Sequence, residues 1–195
     1  PGRDTASMRT PRLFFAVLPA VVAFASPAQA FEKQQHIAVQ TGPSLLVVSG
    51  AEQSTTNLGA TLGAIYTYGL SDMFNLHASV NGSLFTRGTS VADKQPLPRQ
   101  PLLLAGAHLG ASYLIDVLRW VPYVGADLGA TAFAGHDFAA ARFFPSARAF
   151  AGLDYQIDRH LAVGGLARQE FFVTKMSNYP SRTELLFKLE YAWGY

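Results

Sequence analysis

The chain has 195 residues, enough for one domain, and it is 49% hydrophobic but only 14% charged, where roughly 25% charged is usual for a soluble domain. With no cysteine it can build neither a disulfide framework nor a Cys-based metal site. The formal charge of +2 is a property of the first thirty residues: Arg3, Arg9, Arg12 and Asp4 lie there, so of 15 Lys+Arg and 13 Asp+Glu the remainder keeps 12 and 12, which gives no case for a nucleic-acid partner.

Residues 1–7 precede Met8 and read as an upstream extension or a mis-called start. Residues 8–30 read as a signal peptide. Met8-Arg9-Thr10-Pro11-Arg12 is basic, Leu13 to Phe24 is apolar apart from Pro19, and Ala28-Gln29-Ala30 offers a small-x-small cleavage site. The apolar run is too short to span a bilayer, and residues 31–195 contain no run long enough for a transmembrane helix.

Eight alternating segments follow. Successive strand side chains point to opposite faces, so a period of two separates one apolar face from one polar face. The first segment is His36 to Val48, with Pro43 as an irregularity. The second is Thr56 to Tyr68, with Leu58, Leu62, Tyr66 and Tyr68 on one face. In the third, Phe74 to Phe85, Leu76, Ala78 and Val80 alternate with Asn75, His77, Ser79 and Asn81. The fourth, Leu102 to Ile115, sets Leu109 and Tyr113 against His108 and Ser112. The fifth is Val121 to Phe133, with Leu128 against Asp127, and the sixth is Ser146 to Ile157, with Leu153 and Tyr155 against Arg148 and Asp154. The seventh, Leu161 to Thr174, opposes Phe171 and Val173 to Arg168 and Glu170. The eighth, Arg182 to Tyr195, ends in Phe187, Leu189, Tyr191, Trp193 and Tyr195 on one face, with Glu184, Lys188 and Glu190 on the other.

The connections alternate in length. Gly69–Met73, Asp116–Trp120 and Asp158–His160 are short and each carries an aspartate; Arg87–Pro101 is long, Gly135–Pro145 intermediate, and Ser49–Thr55 and Lys175–Ser181 polar. Short turns at one end and longer loops at the other match a transmembrane β-barrel with lipid outside and a polar lumen. Tyr66, Tyr68, Phe74, Tyr113, Trp120, Tyr123, Tyr155, Tyr191, Trp193 and Tyr195 cluster at the short-turn end, where amphipathic rings form an interfacial girdle. Phe85, Phe133 and Phe171 are expected to form a thinner girdle at the loop end.

With its A-x-A leader, its eight alternating strands and its terminal Phe187-x-Leu189-x-Tyr191-x-Trp193-x-Tyr195, the chain resembles the small eight-stranded outer-membrane barrels of Gram-negative bacteria, the OmpA/OmpX/OmpW type. The resemblance implies an all-β, antiparallel, up-and-down transmembrane barrel over residues 31–195, located in the cell outer membrane. It implies that the terminal aromatic strand is an assembly signal read by the barrel-assembly machinery, with Tyr195 standing where a Phe is more usual.

Eight strands leave a lumen that side chains nearly fill. Asp127, Arg148, Asp154, Arg168, Glu170, Glu184, Lys188 and Glu190 are therefore expected to form an interior network in which each cation is flanked by carboxylates, with His77 and His108 also inward. His77-x-Ser79 has the spacing of the catalytic pair of eight-stranded lipid A deacylases, but Val80-Asn81 departs from that family and the alternation points both side chains inward, away from lipid. No metal-ligand spacing appears and no cofactor is implied. The expectation is a non-catalytic, monomeric protein with a structural or surface-interaction role, contacting outer-membrane lipid and lipopolysaccharide. Narrow solute passage is a second reading and lipid A modification a third. In the Gly135–Pro145 segment, His136, Phe138, Arg142, Phe143 and Phe144 could grip a phosphate or a partner, or fold over the mouth.

Overall fold

The computed structural model describes residues 33–50, 54–86, 99–115, 119–135 and 137–194. The leader with Ala28-Gln29-Ala30, most of the long 87–101 connection, Asp116, His136 and the terminal Tyr195 lie outside the described residues.

Eight strands run in chain order: β1 Gln35–Ser49, β2 Ser54–Gly69, β3 Phe74–Phe85, β4 Leu103–Leu114, β5 Trp120–Gly135, β6 Phe138–Gln156, β7 Leu161–Phe172 and β8 Arg182–Trp193. Each pairs antiparallel with its neighbours, and β1 closes on β8 to make a barrel. Even the shortest strands, β3, β4, β7 and β8, have 12 residues, more than the 9–11 or so that a tilted strand needs to cross hydrocarbon. Pro43 lies at the seam. It has no N–H to give, and the β1–β8 ladder runs Thr41↔Phe187 and then Ser44↔Glu184, skipping Gly42 and Pro43. Gly42 is required there: a Cβ on it would sit 2.0 Å from the carbonyl oxygen of Leu185.

The hydrophobic pattern is inside out relative to a soluble domain. Leu128 is 71% exposed, Leu109 68% and Leu62 63%, while Arg148, Arg182, Glu170 and Glu184 are fully buried. Between the two rims, no described outward-facing strand residue is charged. Gln169 is a polar exception on that surface, and Thr183 donates its hydroxyl to it at 2.6 Å. A surface of this kind is stable against lipid and not against water. The chain is an eight-stranded antiparallel transmembrane barrel.

Two sequence expectations fail at the loop end. The Gly135–Pro145 connection is strand, not loop: β6 begins at Phe138 and pairs with β5 from Gly135↔Phe138 onward, with a register shift that leaves Ala139–Ala141 bulged. Phe85 and Phe133 do not form a lipid-facing girdle. They point inward and are buried with Leu46, Val48, Leu104, Phe138, Phe144, Phe172 and Tyr179 in one apolar cluster across the barrel mouth. Phe171 alone of that expected trio faces out. Burial of several rings beneath loops removes more apolar area from water than a few rings at a headgroup interface would.

Candidate functional site: the lumen and its two ends

The interior is layered. At the loop end, Phe133 is the centre of the aromatic cap, meeting Phe144 at 4.9 Å and Phe172 and Tyr179 at 5.0 Å between ring centroids, all edge-on. Three connections are stitched over it. The Tyr179 hydroxyl donates to the Arg99 carbonyl at 2.5 Å, the Gln100 N–H to Asp137 Oδ2 at 3.0 Å, and the Ser49 N–H to the Asn178 carbonyl at 2.7 Å. Burial pushes the Tyr179 phenol up to about 12, against a small opposing effect of Arg99.

Below the cap lies an arginine layer. Arg182 contacts both carboxylates of the layer, Glu170 and, at 3.6 Å, Glu184. Arg168 Nε donates to Glu184 at 2.6 Å and its Nη1 to Gln40 at 3.3 Å. Arg148 stands 3.7 Å from Glu170 and donates to Asn81. Hydroxyls complete the carboxylates: Thr131 donates to Glu170 at 2.5 Å and Thr61 to Glu184 at 2.8 Å. His108 bridges Ser146 at 2.8 Å and Glu170 at 3.3 Å. Shared, hydrogen-bonded charges of this kind are the form in which buried ions are tolerated.

Towards the short turns the packing loosens. His77 is bonded to Asp127, and Phe150 packs edge-on against the imidazole at 5.4 Å. Nearer the rim, the Lys188 ammonium is held by Asp154, by Glu190 at 2.8 Å and by the face of Tyr123, 4.7 Å from its centroid. His36 meets Glu190 at 2.7 Å. The space these side chains enclose is a small cavity of about 70 Å³.

The eight charged residues expected inside therefore divide between two groups rather than forming one. Arg148, Arg168, Glu170 and Glu184 meet in the upper layer; Asp154, Lys188 and Glu190 meet near the rim; Asp127 stands between them with His77. Arg182, the residue that joins the upper layer, was not among them. It opens the eighth alternating segment and is in phase with Glu184 and Lys188. Tyr123 is a correction of the same sort: it faces the lumen, not the headgroups, and lies over Gly152, where a Cβ would come within 2.3 Å of its ring.

At the turn-side rim the outward rings meet in groups. Phe74 packs edge-on with Tyr113 at 5.0 Å, Trp120 meets Tyr155 at 4.8 Å, and Trp193 lies between Tyr66 at 6.4 Å and Tyr191 at 6.2 Å. Tyr68 faces outward on β2 in the same band. On β8, Phe187, Leu189 and Tyr191 are exposed on the outer wall and Trp193 is partly so. In the β6–β7 turn, Asp158 accepts the N–H groups of His160 at 2.7 Å and Leu161 at 2.9 Å, and those two bonds lower its pKa. Among the described residues, no group of His, Asp and Glu is placed to hold a metal ion.

No family model matches the chain, and no curated protein does. Solved structures do match it. The N-terminal β-barrel domain of Pseudomonas aeruginosa OprF is 13% identical with a TM-score of 0.58, covering 83% of this chain and 98% of that one. Neisserial surface protein A is 13% identical with a TM-score of 0.55, covering 80% and 96%. At such identities the likeness concerns architecture alone, and the architecture is that of the small eight-stranded outer-membrane β-barrels.

Proposed function

We propose that this chain is an outer-membrane protein that works through its loop-side surface, without catalysis and without passing solute through its lumen. The observation that carries this reading is the double closure of the loop end, by the Phe133 cluster and by the arginine layer beneath it. Above that closure the β5–β6 hairpin continues. The β6–β7 ladder begins at Ser146↔Phe172, so Phe138–Phe144 has no β7 partner among the described residues, and Arg142 and Phe143 are exposed beside that edge. An unpaired strand edge with an exposed ring and a guanidinium suits a protein or glycan partner. Lipid and lipopolysaccharide cover the apolar wall, and the outer face of β8 serves the barrel-assembly machinery.

The test is binding of the barrel in nanodiscs to immobilised extracellular glycoproteins and polysaccharides, with Arg142→Ala/Phe143→Ser as the paired variant. The expected result is a partner whose affinity falls at least about tenfold in the variant, while the unaltered barrel shows no open level in planar bilayers. A reproducible open level, with no partner sensitive to the hairpin, would overturn the reading in favour of passage. The passage reading draws its support from the charged side chains that line the lumen along much of its length. Lipid modification has less behind it: His77 and Ser79 are buried inside the wall, and unchanged lipid A acyl chains in producing cells are the expected outcome.

A further inference from the structure

The outer wall departs from its apolar pattern at a place that the lumen does not explain. Gln169 points outward from β7, two residues below the outward ring of Phe171, so its amide stands in the loop-side half of the lipid-facing band. Thr183, its ladder partner on β8, donates its hydroxyl to Gln169 Oε1 at 2.6 Å, and the two N–H donors on Nε2 have no partner among the described residues. A donor facing hydrocarbon is costly unless something in the membrane accepts from it. We propose that Gln169 and Thr183 hold the carboxyl end of an amide-linked, hydroxylated acyl chain of lipopolysaccharide, and that the rest of the chain lies in a trough beneath them.

The trough is an observation independent of the amide. Thr41, Pro43, Gly165, Ala167, Leu185 and Phe187 line a groove of about 530 Å³ on the outer wall. It follows the same two strands downward, through the pairs Gln169↔Thr183, Ala167↔Leu185 and Gly165↔Phe187. A second groove of about 510 Å³ shares Gly165 and Phe187 and continues to Trp120 and Tyr155 at the turn-side rim. Gly165 is common to both, and packing does not impose it. A Cβ there would meet only the carbonyl oxygen of Leu186, at an ordinary 3.7 Å, whereas at Gly42 the same atom would clash. A hollow that no neighbour requires leaves room for something outside the wall, and an apolar lane of this length suits an acyl chain.

The polar pair selects among lipids. Between its phosphate and its chains a glycerophospholipid carries ester oxygens, which only accept. A hydroxylated acyl chain joined through an amide carries donors and acceptors within a few bonds of each other. The pair on the wall matches that mixture: Nε2 has two donors to give, and Gln169 Oε1 and Thr183 Oγ1 keep lone pairs that can accept. The level agrees as well. Longer loops mark the extracellular end of such a barrel, so the amide lies in the leaflet that holds lipopolysaccharide. No water competes for these groups in hydrocarbon, which lets side-chain hydrogen bonds act as selective contacts there. The inference rests on the outer-membrane setting and does not depend on the loop-side partner proposed above.

The experiment is native mass spectrometry of the whole barrel released from neutral detergent. The probes are N-(3-hydroxytetradecanoyl)glucosamine, N-tetradecanoylglucosamine and dimyristoyl phosphatidylglycerol, with purified lipid A as the competitor. The hydroxylated probe is expected to bind about three- to tenfold more tightly than the plain one, and lipid A to displace it where phosphatidylglycerol does not. Gln169→Leu removes the preference for the hydroxyl and weakens the hydroxylated probe by the same factor. Gly165→Leu, which fills the trough without touching the amide, weakens both glucosamine probes. Heat-modifiable migration in SDS gels establishes that each variant is folded. Should Gly165→Leu not fold, the probe series on the unaltered barrel still decides. Equal binding of the two glucosamine probes, or unchanged binding in folded Gln169→Leu, would overturn the proposal. So would cross-linked pairs of barrels that Gln169→Leu abolishes, because the amide would then belong to a second copy of the chain.

Discussion

The two halves of the lumen are built on the same eight strands and end differently. The loop-side half is filled by guanidinium forks, shared carboxylates and interlocked phenyl rings. The turn-side half is spanned by a single ammonium and the ion pairs around it, and it stays open. The lesson concerns side-chain geometry. A guanidinium has five donors in a fixed plane and can tie several strands together, as Arg182 ties Glu170 on β7 to Glu184 on β8 and to Ser83 on β3. A lysine is a point charge on a flexible stem and holds only what gathers around its tip. Strand number fixes the bore; the choice of cation decides whether it is closed.

The sharpest way to break that comparison is at its two cations. Arg182→Met takes the shared cation from two buried carboxylates, leaving Glu184 to Arg168 and Glu170 to Arg148, and is expected to cost about 3–5 kcal/mol in urea unfolding from vesicles. Lys188→Met, beside a cavity that admits water, is expected to cost about 2 kcal/mol in the same assay. Equal losses would mean that the halves do not differ as described. The cap gives the next effect in size. Phe133→Ala is expected to cost about 3 kcal/mol, but to leave the bilayer without conductance because the arginine layer still blocks the path. A steady open level in that single variant would show that the rings alone make the seal.

Tyr179→Phe removes one hydrogen bond from the stitched loops, and about 1 kcal/mol is expected with the ring packing kept. The unaltered cap also has an alkaline limit. The Tyr179 phenol is raised from 10.0 to about 12, so the protonated ring is favoured in the fold. Its contribution is complete below pH 10 and disappears as the pH rises through about 12. Tyrosinate absorbance should therefore show one late-titrating group that Tyr179→Phe removes. The smallest effect belongs to the turn side. Asp158 is lowered by two backbone N–H groups, so its hold on the β6–β7 turn is complete at neutral pH. The hold is lost as the pH falls through the depressed value. Hydrogen exchange at His160 and Leu161 should rise in acid and lose that dependence in Asp158→Asn, with the rest of the barrel unmoved.

Much of the wall was legible because alternation is a property of one strand at a time. Leu76, Ala78 and Val80 face out and Asn75, His77 and Ser79 face in, as their spacing implies. The same phase also assigns Tyr123, Phe85, Phe133 and Arg182 to the interior; the preference of rings for an interface outweighed it for the first three, and a strand boundary hid the last. The start of β6 was hidden for a physical reason. Ala139, Ala140, Ala141, Arg142 and Phe143 do not alternate, and a bulge absorbs Ala139–Ala141, so pairing continues where the pattern lapses. Which carboxylate each arginine takes was not legible, because that depends on how far each strand is staggered against the next around a closed ring. One signal for the bulky interior was present. Glycines recur on the inward faces of β4 and β5, and Gly110 leaves the room that Asp127 occupies, where a Cβ would stand 2.2 Å from its Oδ1.

Pro43 gives the ring a clasp. A closed barrel has no first or last stave once it is shut, but this one keeps a mark of where its ends met: two positions, Gly42 and Pro43, at which β1 makes no ladder pair with β8. On either side of that gap the β1–β8 ladder is continuous, from Gln35 to Thr41 and from Ser44 to Leu46. The clasp faces the strand that carries Phe187, Leu189, Tyr191 and Trp193, so the gap in the ladder and the outward aromatic row share one seam.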